Sequence, residues 1–428
     1  MNIRIVIVLF ACSMLNLSCI DRDTIAGTGK EAPDRMIGAG GDFQSGIIRT
    51  QLPIPLRVRI LAANGRPVRG VVVEFSNSLE RVSFSDTTAR SDGDGYASTR
   101  VTFGTVADSI QVNASVLGIK GSPIVFHLVA RAAAEENAEI ESGDAQSGVV
   151  SGPLSSPLMV KVTDPYNNPV KNVVAEYSTN NGRFSSSFVQ TDSFGIASSI
   201  WFLDTLIGQK TASVTFPSLP GVVLNFKATA TAHTPYNMYA ALNDSIHAME
   251  GQPLPGGLRV KMVDKFGNPA KQQSVRFSVV LGSPGIDTAR AFQTGTDGVA
   301  TVSITLAFGD SVEIVNAYSP YYPLPVVPFH ITSYRYSQLS SISSSGGNVE
   351  LGWDRNVNNN FVSYNIERCL TYTFDQSTVA LRTITDQNIV SMTDTSAVIG
   401  TSPFYRVKIN YLNNFYFYTN IRQITVQP

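Results

Sequence analysis

Few residues in this 428-residue sequence have the types and spacings that catalysis or metal binding asks for. The four histidines, His127, His233, His247 and His330, lie far apart, with no His-x-x-x-His pair and no Cys-x-x-Cys to hold a metal. There is no Gly-x-Ser-x-Gly elbow, no phosphate-binding glycine loop and no dinucleotide fingerprint. Cys369 follows a predicted strand, Tyr364-Asn-Ile-Glu-Arg368, and no histidine near it in sequence could act as its base, so an inert thiol is expected. Asp92 and Asp94 could together serve calcium, but the matching loops further along the chain lack the second carboxylate, and turn chemistry explains both aspartates. The expectation is a non-enzyme without cofactor or metal.

The residue with the clearest chemistry is a cysteine near the start. Met1-Asn-Ile-Arg4 is a short positive segment, and Ile5 to Leu17 is apolar but too short to span a bilayer as a stable helix. Ser18-Cys19 then resembles the processing site of bacterial lipoproteins. In that family the cysteine thiol receives a diacylglycerol and becomes the new N-terminus, so the resemblance implies lipidation at Cys19. Asn16 departs from the leucine usual three positions before the cysteine. Leu9-Phe10-Ala11-Cys12 fits the motif locally but leaves an apolar stretch of only a few residues, and cleavage without lipid is the other alternative. Lipidation would attach the exported chain firmly, since more than one acyl chain holds a soluble domain at a membrane.

Charge narrows the partners by exclusion. With 32 basic and 33 acidic side chains the net charge is −1, which gives no ground for nucleic acid. After processing at Cys19 only Cys369 remains, so the domains must stand on packing without an internal disulfide. The length exceeds one β-sandwich of about 100 residues and allows roughly three or four. A composition of 43% hydrophobic residues with 33 Gly and 22 Pro suits turn-rich β structure.

Internal repeats give the organisation. Copy one reads Leu56-Arg-Val-Arg-Ile60, Asn64-Gly-Arg-Pro67, Val71-Val-Val-Glu-Phe75; copy two reads Leu158-Met-Val-Lys-Val162, Asn167-Asn-Pro169, Val173-Val-Ala-Glu-Tyr177. Copy three reads Leu258-Arg-Val-Lys-Met262, Gly267-Asn-Pro269, Val275-Arg-Phe277. The leucines stand 102 and 100 residues apart, and Pro67, Pro169 and Pro269 keep the same spacings. Alternation places Leu56, Val58 and Ile60 on a buried face with Arg57 and Arg59 in solvent, and Val160 is inward by the same register. The Asn/Gly-Pro group reads as a tight turn, so the two strands around it are expected to form a hairpin. A second turn, Ser91 to Ala97, Thr191 to Ala197 and Thr294 to Ala300, opens a further strand such as Ala300 to Leu306, and each copy closes on a strand with Phe126, Phe226 or Phe329.

This order of elements resembles the bacterial immunoglobulin-like group 1 domain, found in tandem in invasin and intimin adhesins. Copies two and three carry its Asp-x-x-Gly/Asn-Asn-Pro turn as Asp164 to Pro169 and Asp264 to Pro269, while copy one has Ala62 in place of the aspartate. The resemblance covers roughly residues 36 to 333 and implies an all-β chain of tandem Ig-like β-sandwiches in an elongated array, serving mainly as spacers. Residues 334 to 428 break the pattern and resemble a fibronectin type III domain, through Val349-Glu-Leu-Gly-Trp353, Tyr364 to Arg368, Thr393-Asp-Thr395 and Tyr405-Arg-Val-Lys-Ile409. That family implies Trp353 as the core aromatic and Tyr405 at the corner before the sixth strand. The Arg-Gly-Asp loop often used there for integrins is missing.

The expected division is a leader at 1–18, a flexible tether at 19–35, Ig-like domains at 36–131, 132–232 and 233–333, and the last domain at 334–428. Short linkers, Ala130 to Asn137 and Thr231 to Tyr236, join the copies. Aromatic residues supply the candidate contact surface: Tyr411, Phe415, Tyr416, Phe417 and Tyr418 around an Asn-Asn turn, and Tyr321 with Tyr322 in the third copy. The functional expectation is a lipid-anchored stalk in a bacterial envelope, presenting a binding or adhesive C-terminal domain to a protein or glycan. The alternative is an assembly subunit that docks through its repeat faces.

Overall fold

The computed structural model describes residues 31–79, 81–242, 245–309 and 312–428. The leader, Cys12 and Cys19 lie outside the described residues. Among the described residues all regular structure is β, apart from one 3-10 turn at Leu412–Asn414. Two compact units divide the backbone: one runs to Glu139 and takes in Lys161–Val173 and Gln190–Ile196, and the other holds Ile140–Val160, Val174–Val189 and Ala197–Pro428.

In the first copy a three-stranded sheet has the order Arg35–Gly40, Leu56–Leu61, Tyr96–Thr99. A five-stranded sheet has the order Ser45–Ile47, Ile124–Arg131, Ser109–Ser115, Val72–Ser76, Thr88–Arg90. Its first pairing is parallel, because the opening segment leaves one sheet after Gly40 and continues in the other beside the closing strand. Copies two and three repeat this order, and the third sets Asn237–Ala240, Leu258–Val263 and Val299–Val302 against a second sheet that closes on Val327–Tyr334.

The hairpin expected around the proline turn is not formed. Leu56–Leu61 pairs with Arg35–Gly40 and Tyr96–Thr99, whereas Val72–Ser76 pairs with Ser109–Ser115 and Thr88–Arg90 in the opposite sheet. Both strands have one apolar face, Leu56, Val58 and Ile60 on the first and Val73 and Phe75 on the second, all at most 2% exposed. Crossing between sheets turns these faces toward each other and closes a core; a hairpin would have left both on one side of one sheet. The expected strand from Ala300 to Leu306 is likewise divided, into Val299–Val302 in one sheet and Ile304–Thr305 paired with Gly285–Ile286.

The turn positions are set by backbone conformation. Gly95, Gly195 and Gly298 have φ of 76°, 74° and 76°, and a Cβ there would sit 2.5 to 2.6 Å from the carbonyl oxygens of Ile60, Val162 and Met262. Both the left-handed φ and the close strand behind it require glycine. The aspartate before each glycine tightens the turn: Asp92 Oδ1 accepts the amides of Asp94 (3.0 Å) and Tyr96 (2.9 Å), and Asp192 Oδ1 those of Phe194 and Ile196.

The fourth segment forms a different sandwich. Leu339–Ser345, Asn348–Trp353 and Ser391–Asp394 make one sheet; Val379–Ile384, Phe361–Cys369, Phe404–Tyr411 and Tyr416–Tyr418 make the other, with Arg422–Gln423 also paired to Phe404–Tyr411. Trp353, Tyr364, Tyr405, Val407 and Tyr411 fill its core.

Candidate functional site

Two kinds of place deserve a chemical description, the aromatic end of the fourth segment and the joints between successive copies. At the aromatic end the expected contact residues separate by burial. Tyr411 is 3% exposed and receives a 2.7 Å hydrogen bond from Asn356 Nδ2 at its hydroxyl, and burial pushes its phenol far up. This corrects its place among the contact residues: Tyr411 ends the strand Phe404–Tyr411 on the inward side of the pleat. Phe417 packs on the same core, with its ring 5.9 Å from that of Tyr411.

Tyr416 and Tyr418 alternate to the other side. Tyr416 is 48% exposed with Lys408 Nζ 3.9 Å above its ring, and Tyr418 meets it edge-on at 5.4 Å. The Arg406 guanidinium lies between Tyr418 (3.7 Å) and Phe374 (4.0 Å) and pairs with Glu367 at 2.7 Å. Phe415 stacks at 4.0 Å on His247, whose Nδ1 lies 2.9 Å from the Tyr334 hydroxyl, and burial lowers the His247 pKa. Phe415 therefore belongs to the join between the third and fourth segments. Tyr321 is 76% exposed and Tyr322 half-buried in the third copy, on a loop where the amides of both bond Ser319 Oγ.

Cys369 is buried at the end of Phe361–Cys369. Burial pushes its thiol up, but hydrogen bonding with Ser377 (3.2 Å) and Thr371 (3.4 Å) outweighs this and leaves it lowered to about 7. Among the described residues no group of His, Cys, Asp and Glu could hold a metal ion.

The joints are where sequence reasoning missed most. Asp164, read from the sequence as part of a turn, is fully buried and accepts the amides of Tyr166 (2.8 Å) and Asn168 (2.9 Å), which makes the turn. It also accepts the amide of Ala133, in the linker from the first copy, at 2.9 Å. Asn168 Nδ2 donates to Asp164, and again to the Thr105 carbonyl of the first copy at 2.8 Å, while its Oδ1 accepts the Ala107 amide at 2.8 Å. The next joint repeats every element: Asp264 accepts from His233 (3.0 Å), Phe266 and Asn268, and Asn268 bridges Thr205 O (2.8 Å) and the Ile207 amide (3.3 Å). Burial alone would raise the pKa of both aspartates; the hydrogen bonds outweigh it and hold them below the ordinary carboxylate range. The sequence did carry a sign of this. Copy one has Ala62 and Arg66 at the two positions, and Arg66 turns instead to Glu31.

No family model matches the sequence. Over an alignment of 260 residues, covering 58% of this chain and 11% of the other, the sequence is 29% identical to the inverse autotransporter adhesin YeeJ of Escherichia coli strain K12. Among solved structures, the Escherichia coli adhesin FdeC is similar over 72% of this chain and 100% of its own, with a TM-score of 0.47 and 14% identity. Invasin, described as a bacterial integrin-binding protein, is similar over 91% of this chain and 79% of its own, with a TM-score of 0.44 and 16% identity. The chain is built of Ig-like sandwich units in tandem, and part of it is similar to an inverse autotransporter adhesin of which it spans about a tenth.

Proposed function

We propose that the protein is a lipid-anchored stalk of a bacterial envelope, whose Ig-like copies space a C-terminal adhesive domain away from the surface. The observation that carries this reading is the doubled joint: Asp164 with Asn168 and Asp264 with Asn268 tie each copy to the one before through the same hydrogen bonds. A spacer needs joints that resist bending, and a binding protein whose domains only hung from flexible links would not need such buried polar ties. Relatedness to an adhesin supports adhesion as the task. Cys19 is the anchor in this reading, and residues 334–428 are a fibronectin type III-like domain, with the exposed ring of Tyr416 and the half-buried Tyr418 beside it available to a protein or glycan.

Two experiments test it. The mature protein is expected to take up label from a fatty-acid precursor, and a Cys19→Ala chain that still labels and stays with membranes would remove the anchor. The isolated segment 334–428 is expected to compete with the full protein for surfaces to which the cells adhere; failure to compete would move binding to the repeats.

A further inference from the structure

The outer face of the three-stranded sheet in the first copy gathers positive charge without a counter-charge. Rows across it follow from the pairing: Ile37 opposite Arg59 opposite Tyr96, and Gly40 opposite Arg57 opposite Ser98, with Arg35 two residues before Ile37 on the edge strand. The three strands contain no Asp or Glu. Arg57 and Arg59 share one ring, their guanidinium carbons 3.5 and 4.9 Å from the centre of Tyr96, and Arg59 Nε is fixed by the Asp94 carbonyl at 3.0 Å. Two residues apart on one strand, their backbones are separated by only about 7 Å.

Three carboxylates near this face are committed elsewhere, and Asp94, whose carbonyl holds Arg59 Nε, forms no ion pair with either arginine. Asp92 holds the turn amides, Asp34 pairs with Lys120 and Glu31 with Arg66. Among the described residues no carboxylate lies within ion-pair distance of Arg35, Arg57 or Arg59. Two like charges held side by side on a ring, with no internal anion, suit an external one, and guanidinium groups suit phosphate in particular. The second copy differs at the same place in charge, with Glu139 and Glu141 on the corresponding edge strand. The third keeps two cations on the central strand, Arg259 and Lys261, but has Asn237 where Arg35 stands.

We propose that this face docks on the phosphate headgroups of an anionic membrane. Charge complementarity and chain connection favour that occupant. Arg35 heads the edge strand of this sheet and lies sixteen positions after Cys19, a length of chain that reaches at most about 55 Å. The proposal rests on the reading of Cys19 as the lipid-bearing residue. The lipid would attach the chain, and the arginines would set which side of the first domain meets the membrane, an attraction that fades within a Debye length of about 8 Å at physiological salt.

The test uses the full chain with Cys19→Ala, so that no acyl group contributes, sedimented with vesicles of phosphatidylcholine alone or mixed equally with phosphatidylglycerol. Binding to the mixed vesicles only is expected, weakening as salt is added. Arg57→Gln with Arg59→Gln is expected to lower it by about thirtyfold, from roughly fivefold for each arginine lost at a membrane surface. Arg259→Gln with Lys261→Gln removes the same charge from the third copy and is expected to leave most of the binding. All four side chains are at least partly exposed, and unchanged circular-dichroism melts confirm that both doubles are folded. Equal binding by the Arg57/Arg59 double overturns the proposal, as does equal loss in the two doubles, which would mean net charge alone. Retention on heparin without retention on vesicles overturns it in favour of an acidic glycan. Fatty-acid labelling of the unaltered chain reads the anchor separately: no label with vesicle binding intact removes the anchor and leaves the face.

Discussion

Asn168 Nδ2 lies 2.8 Å from the carbonyl oxygen of Thr105, so a side chain of the second Ig-like copy closes a backbone hydrogen bond of the first. Its carbonyl oxygen accepts the Ala107 amide two residues on, and one amide side chain thus satisfies a donor and an acceptor on the same loop. Asp164 orients that side chain and at the same time caps the linker amide at Ala133. The hydrogen bonds are largely shielded from water, since Asp164 is 0% and Asn168 6% exposed.

Asn168→Ala is expected to loosen the first joint while leaving both sandwiches folded. Truncation leaves the Thr105 carbonyl and the Ala107 amide without partners, at a cost of about 1 to 3 kcal/mol. Limited proteolysis reads the outcome: cleavage within 131–136 should speed up severalfold, and the equivalent Asn268→Ala should do the same at 231–236. Unchanged cleavage would mean that apolar packing holds the joints.

The buried aspartates make the joints sensitive to acid. The folded pKa of Asp164 and of Asp264 lies below the unfolded value, so each contributes stability that is complete above about pH 4 and is lost as pH falls through the lowered folded value. Asp164→Asn should therefore melt lower than the unaltered chain at neutral pH, with the gap narrowing in acid. A gap that stays constant with pH would show that the carboxylate charge contributes nothing.

In the fourth segment Tyr405 donates a 2.9 Å hydrogen bond to Asp394, which also pairs with Arg368 at 2.6 Å and accepts the amide (2.9 Å) and hydroxyl (2.7 Å) of Ser396. Tyr405→Phe keeps the ring and removes the hydroxyl, leaving Asp394 one donor short. A loss of about 1 to 3 kcal/mol follows, seen as a melting transition several degrees lower. An unshifted transition would show that Arg368 and Ser396 satisfy the carboxylate alone.

How far the fold could be read from the sequence depended on the range of the interaction. Alternation in Leu56 to Ile60 and its two counterparts identified the inward side chains, because a strand's period of two is a local property; Val58, Val160 and Val260 are all fully buried. The glycines of the Asp-x-x-Gly turns were legible for the same reason. Strand partners were not. Nothing between Ile60 and Val71 distinguishes a hairpin from a crossing between sheets, since either needs the same turn residues. Asn168 reads in the sequence as half of a turn because its bonds to Asp164 are local, whereas its bonds to Thr105 and Ala107 span more than 60 residues. The loss of both Asp and Asn from the first copy was the one sequence clue that the pair does more than turn the chain. The aromatic run from Phe415 to Tyr418 was visible as composition, but its division between a join, an exposed face and a core depends on how three elements pack.

Adhesion itself is the most direct measure of the account. Bacteria displaying the full chain and bacteria displaying the chain ended at residue 333 are compared for retention on epithelial monolayers, with display equalised by surface antibody. The full chain is expected to retain cells, and the shortened chain to retain no more than bacteria lacking the protein. Equal retention by both would contradict the placing of adhesion in residues 334–428 and return it to the repeats.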